Sequence, residues 1–370
     1  MHRVLLIPGF FGFSTIGDMR YFAHVRRALG AALAREGLEA TLHEVPTLPT
    51  ASLQRRAARL AEVAVDLCDE SDQLHLVGHS TGGLDARLLL APGADVLLPP
   101  GWAALQPRVR TVVSVASPHQ GAPIARFFST VQGERWLRLI SILTLHVVRL
   151  GDVAVGPTSL VLAAAARAGS LAGVEQGLLD DVWRDVLRDF DEARQAELRA
   201  FFQEVWQDRS LIGQLRPSSI QALAPQLAPA PGVRYASVAL MAARPERGLA
   251  LGRLRPSHQL YRMLHGLAAW SAPPAPPQAL GYTTPLATGL GRRPEPTDSD
   301  GIVPTLAQTH GALLHVTRGD HLDVLGYFHD PHARPKHVDW LQTRSDFDRS
   351  AFEATWAAVG RWIAASARRG

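Results

Sequence analysis

The chain has 370 residues, 46% hydrophobic and 19% charged, which supplies a large core and excludes bulk disorder. Its formal net charge is only +4, Lys336 is the sole lysine and no long Lys/Arg run occurs, so the charge pattern gives no footing for nucleic acid. Cys68 is the only cysteine, which excludes an internal disulfide and fits a reducing compartment.

The opening "MHRVLLIPGFFGF" has the basic start and apolar run of an export signal. Pro8-Gly9 interrupts that run, however, and no Ala-x-Ala cleavage site follows. Residues 4–7 read instead as a buried strand ended by a Pro-Gly turn, and this reading places the protein in the cytoplasm. A helix is predicted over 18–35, with Tyr21, Phe22, Val25, Leu29 and Leu33 on one side and Gly37 as its stop. Residues 40–45 form a second predicted strand, 52–68 an Arg/Ala-rich helix, and 74–77 a third strand running into "GHSTGG" and a new helix. Another strand is predicted over 109–116. Strands alternating with helices predict an α/β fold with a mostly parallel sheet covered on both faces.

The alternation stops after Pro123. The most apolar stretches beyond it, 137–150 and 153–166, are interrupted by Arg138, His146 and Arg149 or by a Gly-Pro pair. They fall short of the roughly 20 residues that span a bilayer. Strand patterns return in "GVRYASVAL" and "GALLHVTRG", and a last helix over 349–364 places Phe352, Trp356, Val359 and Ile363 on one face. "SAPPAPPQALGY" predicts an irregular surface loop. The chain therefore divides into a core of 1–123 and 231–370 and a helical insertion over 124–230.

Gly78-x-Ser80-x-Gly82 lies between an apolar strand and an Ala/Leu helix, the context of a nucleophile turn. Glycines flank the serine because side chains there would strike neighbouring backbone, and the helix N-terminus favours developing negative charge. His79 reads as a packing residue, since adjacent residues on a turn point apart. Asp85 and Arg87 read as a supporting ion pair or as helix polarity rather than chemistry. A serine hydroxyl needs a histidine to take its proton and a carboxylate to orient that histidine. In the order Ser…Asp…His both partners follow Ser80. Asp300 in "DSDGIVP" and His321 in "RGDHLDVLG", 21 residues apart, fit best. Asp298 and Asp320 are the rival acids; His310 and His315 are the rival bases, with His315 placed inside a strand.

With "ASPHQGAP", these segments resemble the bacterial triacylglycerol lipases and lipase-like serine esterases of the α/β-hydrolase superfamily. The resemblance covers most of 1–125 and 230–330 and is weak in the insertion. It implies an α/β-hydrolase fold with a helical cap, or lid. It also implies an oxyanion hole made by the backbone N–H groups of Phe10 and Thr81, with Phe11 and Phe13 beside the acyl site. In those lipases the first strand ends in His-Gly; here Pro8 replaces the histidine, which leaves a backbone donor unaffected. The family also suggests calcium, with Asp323 matching one ligand. The usual second carboxylate is missing, because none occurs between Glu246 and Glu295, and only Asp298 or Glu295 remain as partners. Asp323 is therefore read first as a turn-stabilising residue, and no cofactor is expected. The insertion is either a lid that shelters an acyl chain and meets a lipid surface, or an ordinary packed helical subdomain. The expected function is hydrolysis of lipid-like or medium-chain esters through an acyl-serine. A thioesterase, a polyester depolymerase, an acyltransferase and a catalytically silent lipid-binding protein are the alternatives.

Overall fold

A computed structural model describes the chain except for residues 11–14, 17–18, 151–179, 181–182, 185–186, 189, 247–255, 271–276, 331, 333–338, 340 and 369–370. Among the described residues, six strands form one parallel sheet: β1 (His2–Ile7), β2 (Ala40–Glu44), β3 (Gln73–His79), β4 (Val109–Val115), β5 (Arg234–Met241) and β6 (Ala312–Arg318). Their order is β2-β1-β3-β4-β5-β6. The short opening run is thus a central strand, hydrogen-bonded to β2 on one side and β3 on the other.

The strands are apolar on both sides because both faces are covered. Leu5, Ile7, Leu74 and Leu76 face one layer, packed with Leu53 and Leu60 of α2 (Leu53–Leu67) and Leu84 and Leu88 of α3 (Thr81–Leu90). Val4, Leu6, Val77 and Val113 face the other, packed with helix Ala23–Arg35 and the last helix, Arg349–Ala367. The alternation of Leu5 and Ile7 with Val4 and Leu6 is the two-residue period of a strand. Ser52 caps α2 by accepting from the N–H of Arg55 at 3.3 Å.

Two expectations shift. The first helix begins at Ala23 rather than 18, because Thr15–Ile16 and Met19–Arg20 pair as a short antiparallel ladder and keep the chain extended there. The apolar face is as read: Tyr21, Phe22, Val25, Leu29 and Leu33 are all buried. Within the Pro-rich loop, Pro277–Tyr282 forms a 3-10 helix that buries Ala279 against a cluster containing Met241 and Leu286, while 271–276 lie outside the described residues.

The insertion contributes helices Val131–Leu150 and Glu192–Gln207, with shorter ones at Ile124–Phe128, Ser210–Gln214 and Pro217–Leu223. Trp136, Leu137, Leu139 and Ile140 are buried in a third core with Phe202 and Ile212, against Tyr261 and Leu264 of helix Pro256–Trp270. Those apolar side chains are packed rather than displayed. Phe10 touches both this core and the one beneath α3. No helix of the described residues is long and apolar enough to cross a membrane.

The last helix tests the packing. Trp356 is fully buried, and its indole N–H donates to Val324 O at 2.8 Å. Trp356→Ala is expected to cost about 3–5 kcal/mol in denaturant unfolding; a loss below about 1 kcal/mol would contradict this placement.

Candidate active site

The strand order reverses between β1 and β3, which opens a crevice at their carboxyl ends. Pro8 to Phe10 leave β1 there, and Ser80 leaves β3 there. Ser80 adopts φ 53° and ψ −126°, a left-handed conformation that a serine holds only where its surroundings impose it. Its N–H donates to Val115 O at 2.9 Å. A Cβ on Gly82 would lie 2.2 Å from Ile7 O, and one on Gly78 2.3 Å from Gly82 C, so neither position tolerates a side chain. Thr81 opens α3, and its N–H is among those that no intrahelical carbonyl can reach.

The loop after β1 is held from two sides. Arg56 of α2 and Asp85 of α3 are both fully buried and joined at 2.6 Å. Arg56 Nη2 also donates to Pro8 O at 2.9 Å and Gly9 O at 3.4 Å, while Nη1 donates to Leu48 O. From the other side, Gly9 N–H donates to the Tyr21 hydroxyl at 3.1 Å. A trans peptide points its C=O and N–H in opposite directions, so Gly9 O turned toward Arg56 sends Phe10 N–H away from it. Of the two readings of Asp85 and Arg87, the mutual ion pair is set aside. Asp85 takes Arg56, whereas Arg87 donates to His119 Nδ1 at 3.0 Å and to Leu227 O at 3.1 Å.

Asp300 and His321 come together after β5 and β6. The excursion following β5 returns through Ala242 N–H to Ser299 O at 2.9 Å, and Gly319 N–H reaches Met241 O at 3.1 Å. His321 Nδ1 lies 2.7 Å from Asp300 Oδ2. A carboxylate accepts, so Nδ1 carries the proton of the neutral ring and Nε2 presents a lone pair. Asp300 is fully buried, and its Oδ1 accepts from Ile302 N–H and Val303 N–H at 3.0 and 2.8 Å. Gln308 also donates to Asp300 Oδ2, at 3.1 Å. Its amide cannot flip, because its oxygen accepts from Leu240 N–H at 2.7 Å. Gln308 was missed in the sequence; a lone glutamine after a turn carries no motif.

The rival residues sit elsewhere. Asp298 is clamped by Arg244 and Arg292 at 2.7 Å each, and these guanidiniums hold its carboxyl down at about 2 despite its burial. Asp320 accepts from the N–H groups of Leu322 and Asp323 in its own turn. His310 stacks near His119, and His315 lies within β6 as read. The residues considered for calcium do not fit that ion. Asp323 Oδ2 accepts from Asp320 N–H at 2.7 Å, Asp298 is taken by arginines, and Glu295 pairs with Arg244 at 2.7 Å. Among the described residues no three His, Cys, Asp or Glu side chains gather around one point. Asp323 stabilises its turn, as first read.

Ser80, Thr81, Phe10 and His321 share one cavity of about 200 Å³, closed by insertion side chains such as Leu137, Ile140 and Phe202. No Asp, Glu, Lys or Arg is among the described residues lining it. Phe11 and Phe13 lie outside the described residues. The cavity thus brings Ser80 and His321 to one apolar surface.

Solved structures share this architecture. Lipase 1 from Pelosinus fermentans is 16% identical over 98% of this chain and 98% of its own, with a TM-score of 0.52. EstA from Clostridium botulinum is 16% identical over 96% and 87%, at 0.51, and Staphylococcus hyicus lipase 13% over 99% and 96%, at 0.50. The chain thus has the α/β-hydrolase fold, in the form found among bacterial lipases and esterases. No protein-family model matches the sequence, and no curated protein does.

Removing Arg56 alone leaves Asp85 buried and unpaired. Arg56→Met is expected to lose about 3–5 kcal/mol of unfolding free energy, and adding Asp85→Leu to recover at least half; no recovery in the double variant would refute the pairing.

Titration gives a second test. Burial pushes His75 and His310 down to about 3, and His79 and His119 well below their ordinary 6.5. Unfolding exposes rings that take up protons below pH 6.5, so each histidine withdraws up to about 1.4 kcal/mol per pH unit as the pH falls from there. Burial and neighbouring carboxylates raise Asp320 and Asp323 above 3.8, which acts in the opposite sense but from fewer groups. The unfolding midpoint should therefore drop between pH 6.5 and 5, and a flat profile over that range would mean these rings are not held neutral.

Proposed function

We propose that the protein is a serine carboxylic-ester hydrolase in which Ser80 is the nucleophile, His321 the base and Asp300 the residue that orients it. The observation that carries this reading is the His321–Asp300 contact of 2.7 Å, set on the same apolar cavity as a serine at positive φ. Asp300 binds the Nδ1–H side of the ring, which leaves Nε2 to take the proton of Ser80 Oγ as it attacks the ester carbonyl.

The tetrahedral oxyanion is stabilised by the N–H groups of Phe10 and Thr81. The first is oriented by the Arg56 grip on Gly9 O, the second by the start of α3. One such donor can contribute ~3 kcal/mol in the transition state. His321 returns the proton to the leaving alkoxide and then activates water against the acyl-Ser80 ester. Each half-reaction returns the ring to its neutral form, so no net proton is stored.

The substrate class follows from the cavity. Described lining residues without formal charge disfavour charged groups and accept an aliphatic acyl chain, so lipid-like or medium-chain neutral esters are the substrates of this reading. Insertion helices act as the lid that keeps water from the chain. An acceptor other than water would make the same machinery an acyltransferase, and a thioester donor would make it a thioesterase.

A series of p-nitrophenyl esters of rising chain length, run on wild type and Ser80→Ala, tests the proposal. Turnover in the alanine variant should fall by as much as about 10⁶ in kcat, with the best wild-type substrate at medium length. Equal turnover by Ser80→Ala would remove Ser80 as nucleophile, and an optimum at acetate would remove the chain-binding role of the cavity.

A further inference from the structure

One group beside the nucleophile is left unused by this mechanism. His79 is buried against Ser80 yet faces away from the reaction, and both its nitrogens are engaged. Nε2 lies 2.9 Å from the main-chain oxygen of His321, and Nδ1 lies 2.7 Å from the Tyr21 hydroxyl. The same hydroxyl receives Gly9 N–H at 3.1 Å. The rings of His79 and His321 stand 4.7 Å apart.

The polarity of this chain is forced. A carbonyl oxygen can only accept, so His79 carries its proton on Nε2. Burial keeps the ring neutral, so Nδ1 is bare and accepts from Tyr21 O–H. The Tyr21 oxygen then offers its lone pair to Gly9 N–H. Every link has one orientation. The chain joins residues 9, 21, 79 and 321 from four separate segments, and it ends at one side on the loop before Phe10 and at the other on the carbonyl of the base itself. The N–H of His321 is held independently by Asp300 O at 3.0 Å, so the base residue is fixed at both of its backbone polar groups.

We infer that Tyr21 and His79 are positioning residues that hold the oxyanion loop and His321 at one spacing about Ser80. This rests on the ester-hydrolase reading for its consequence and on the hydrogen bonds alone for its existence. The geometry separates the inference from mere packing. A phenylalanine at 21 keeps the ring and removes two links. A glutamine at 79 reaches the place of Nε2 and can still donate to His321 O, whereas an asparagine reaches only the place of Nδ1.

The test measures the second-order rate of Ser80 labelling by a fluorophosphonate, with kcat and KM for p-nitrophenyl butyrate, in Tyr21→Phe, His79→Asn and His79→Gln. Tyr21→Phe and His79→Asn should label about 10–100-fold more slowly, with kcat reduced and KM within about 3-fold of wild type. All three variants should remain folded at the assay temperature, and His79→Gln, which keeps the bond to His321 O but offers Tyr21 no acceptor at the place of Nδ1, should fall between wild type and Tyr21→Phe. Wild-type labelling in Tyr21→Phe, or wild-type labelling in both His79→Gln and His79→Asn, overturns the inference. A ring ¹⁵N spectrum at pH 7 reads the relay without any substrate. It should show His79 as the neutral Nε2–H tautomer in wild type and in Tyr21→Phe, with the Nδ1 resonance moved in the variant where its donor is lost; an Nδ1–H tautomer, or an unmoved Nδ1 resonance, overturns the relay. Absence of labelling in wild type would instead bring down the ester-hydrolase reading, with the spectrum still deciding the relay.

Discussion

Three backbone segments meet at the crevice more closely than any side chain allows. A Cβ on Gly9 would stand 2.6 Å from Ser80 Cβ, and the ends of β1 and β3 and the start of α3 are pressed together in the same way at Gly78 and Gly82. This contact makes the loop after β1 and the Ser80 turn one packed unit. It also explains how Ser80 keeps a left-handed conformation, since relaxing it would drive backbone into backbone. The rest of the site is arranged around that point.

Charge is distributed accordingly. The Arg56–Asp85 pair is sealed between α2 and α3, where the guanidinium also serves the carbonyls of Leu48, Pro8 and Gly9. Such a pair adds little net stability by itself, because desolvation offsets much of the attraction. What it adds here is direction, by fixing which way the peptides of the loop turn. Asp298, with its two arginines, braces the loop that carries Asp300 through Thr305 N–H to Asp298 O at 2.9 Å. Neither ionic group lines the cavity, and no Asp, Glu, Lys or Arg is among the described residues that do.

Much of this was legible in the chain itself. Strands 4–7, 74–77 and 109–116 were readable because a parallel sheet covered on both faces needs continuous apolar runs, and each lies within an observed strand to within a residue. The contact of Asp300 with His321 was foreshadowed by their turns and their order after Ser80. The partners of Asp85, the amide of Gln308 and the two bonds of His79 were not. Arg56 precedes Asp85 by 29 residues and His79 precedes His321 by 242, and no local pattern encodes contacts of that separation. Adjacent residues on a turn point apart, which reads His79 as packing; its side chain in fact reaches the backbone of His321.

The sequence alone determined the alternating α/β core and the serine turn with its obligatory glycines, and it singled out Asp300 and His321, which the fold brings to 2.7 Å. Each depends on short-range constraints: hydrophobic period, turn sterics and residue order. Only the tertiary structure decided which buried arginine holds the first loop, which tautomer His79 adopts and that the apolar insertion helices close a cavity over Ser80. Those features arise where distant segments converge, and a hydrogen bond or ion pair is specified by the geometry of both partners, which neither segment contains on its own.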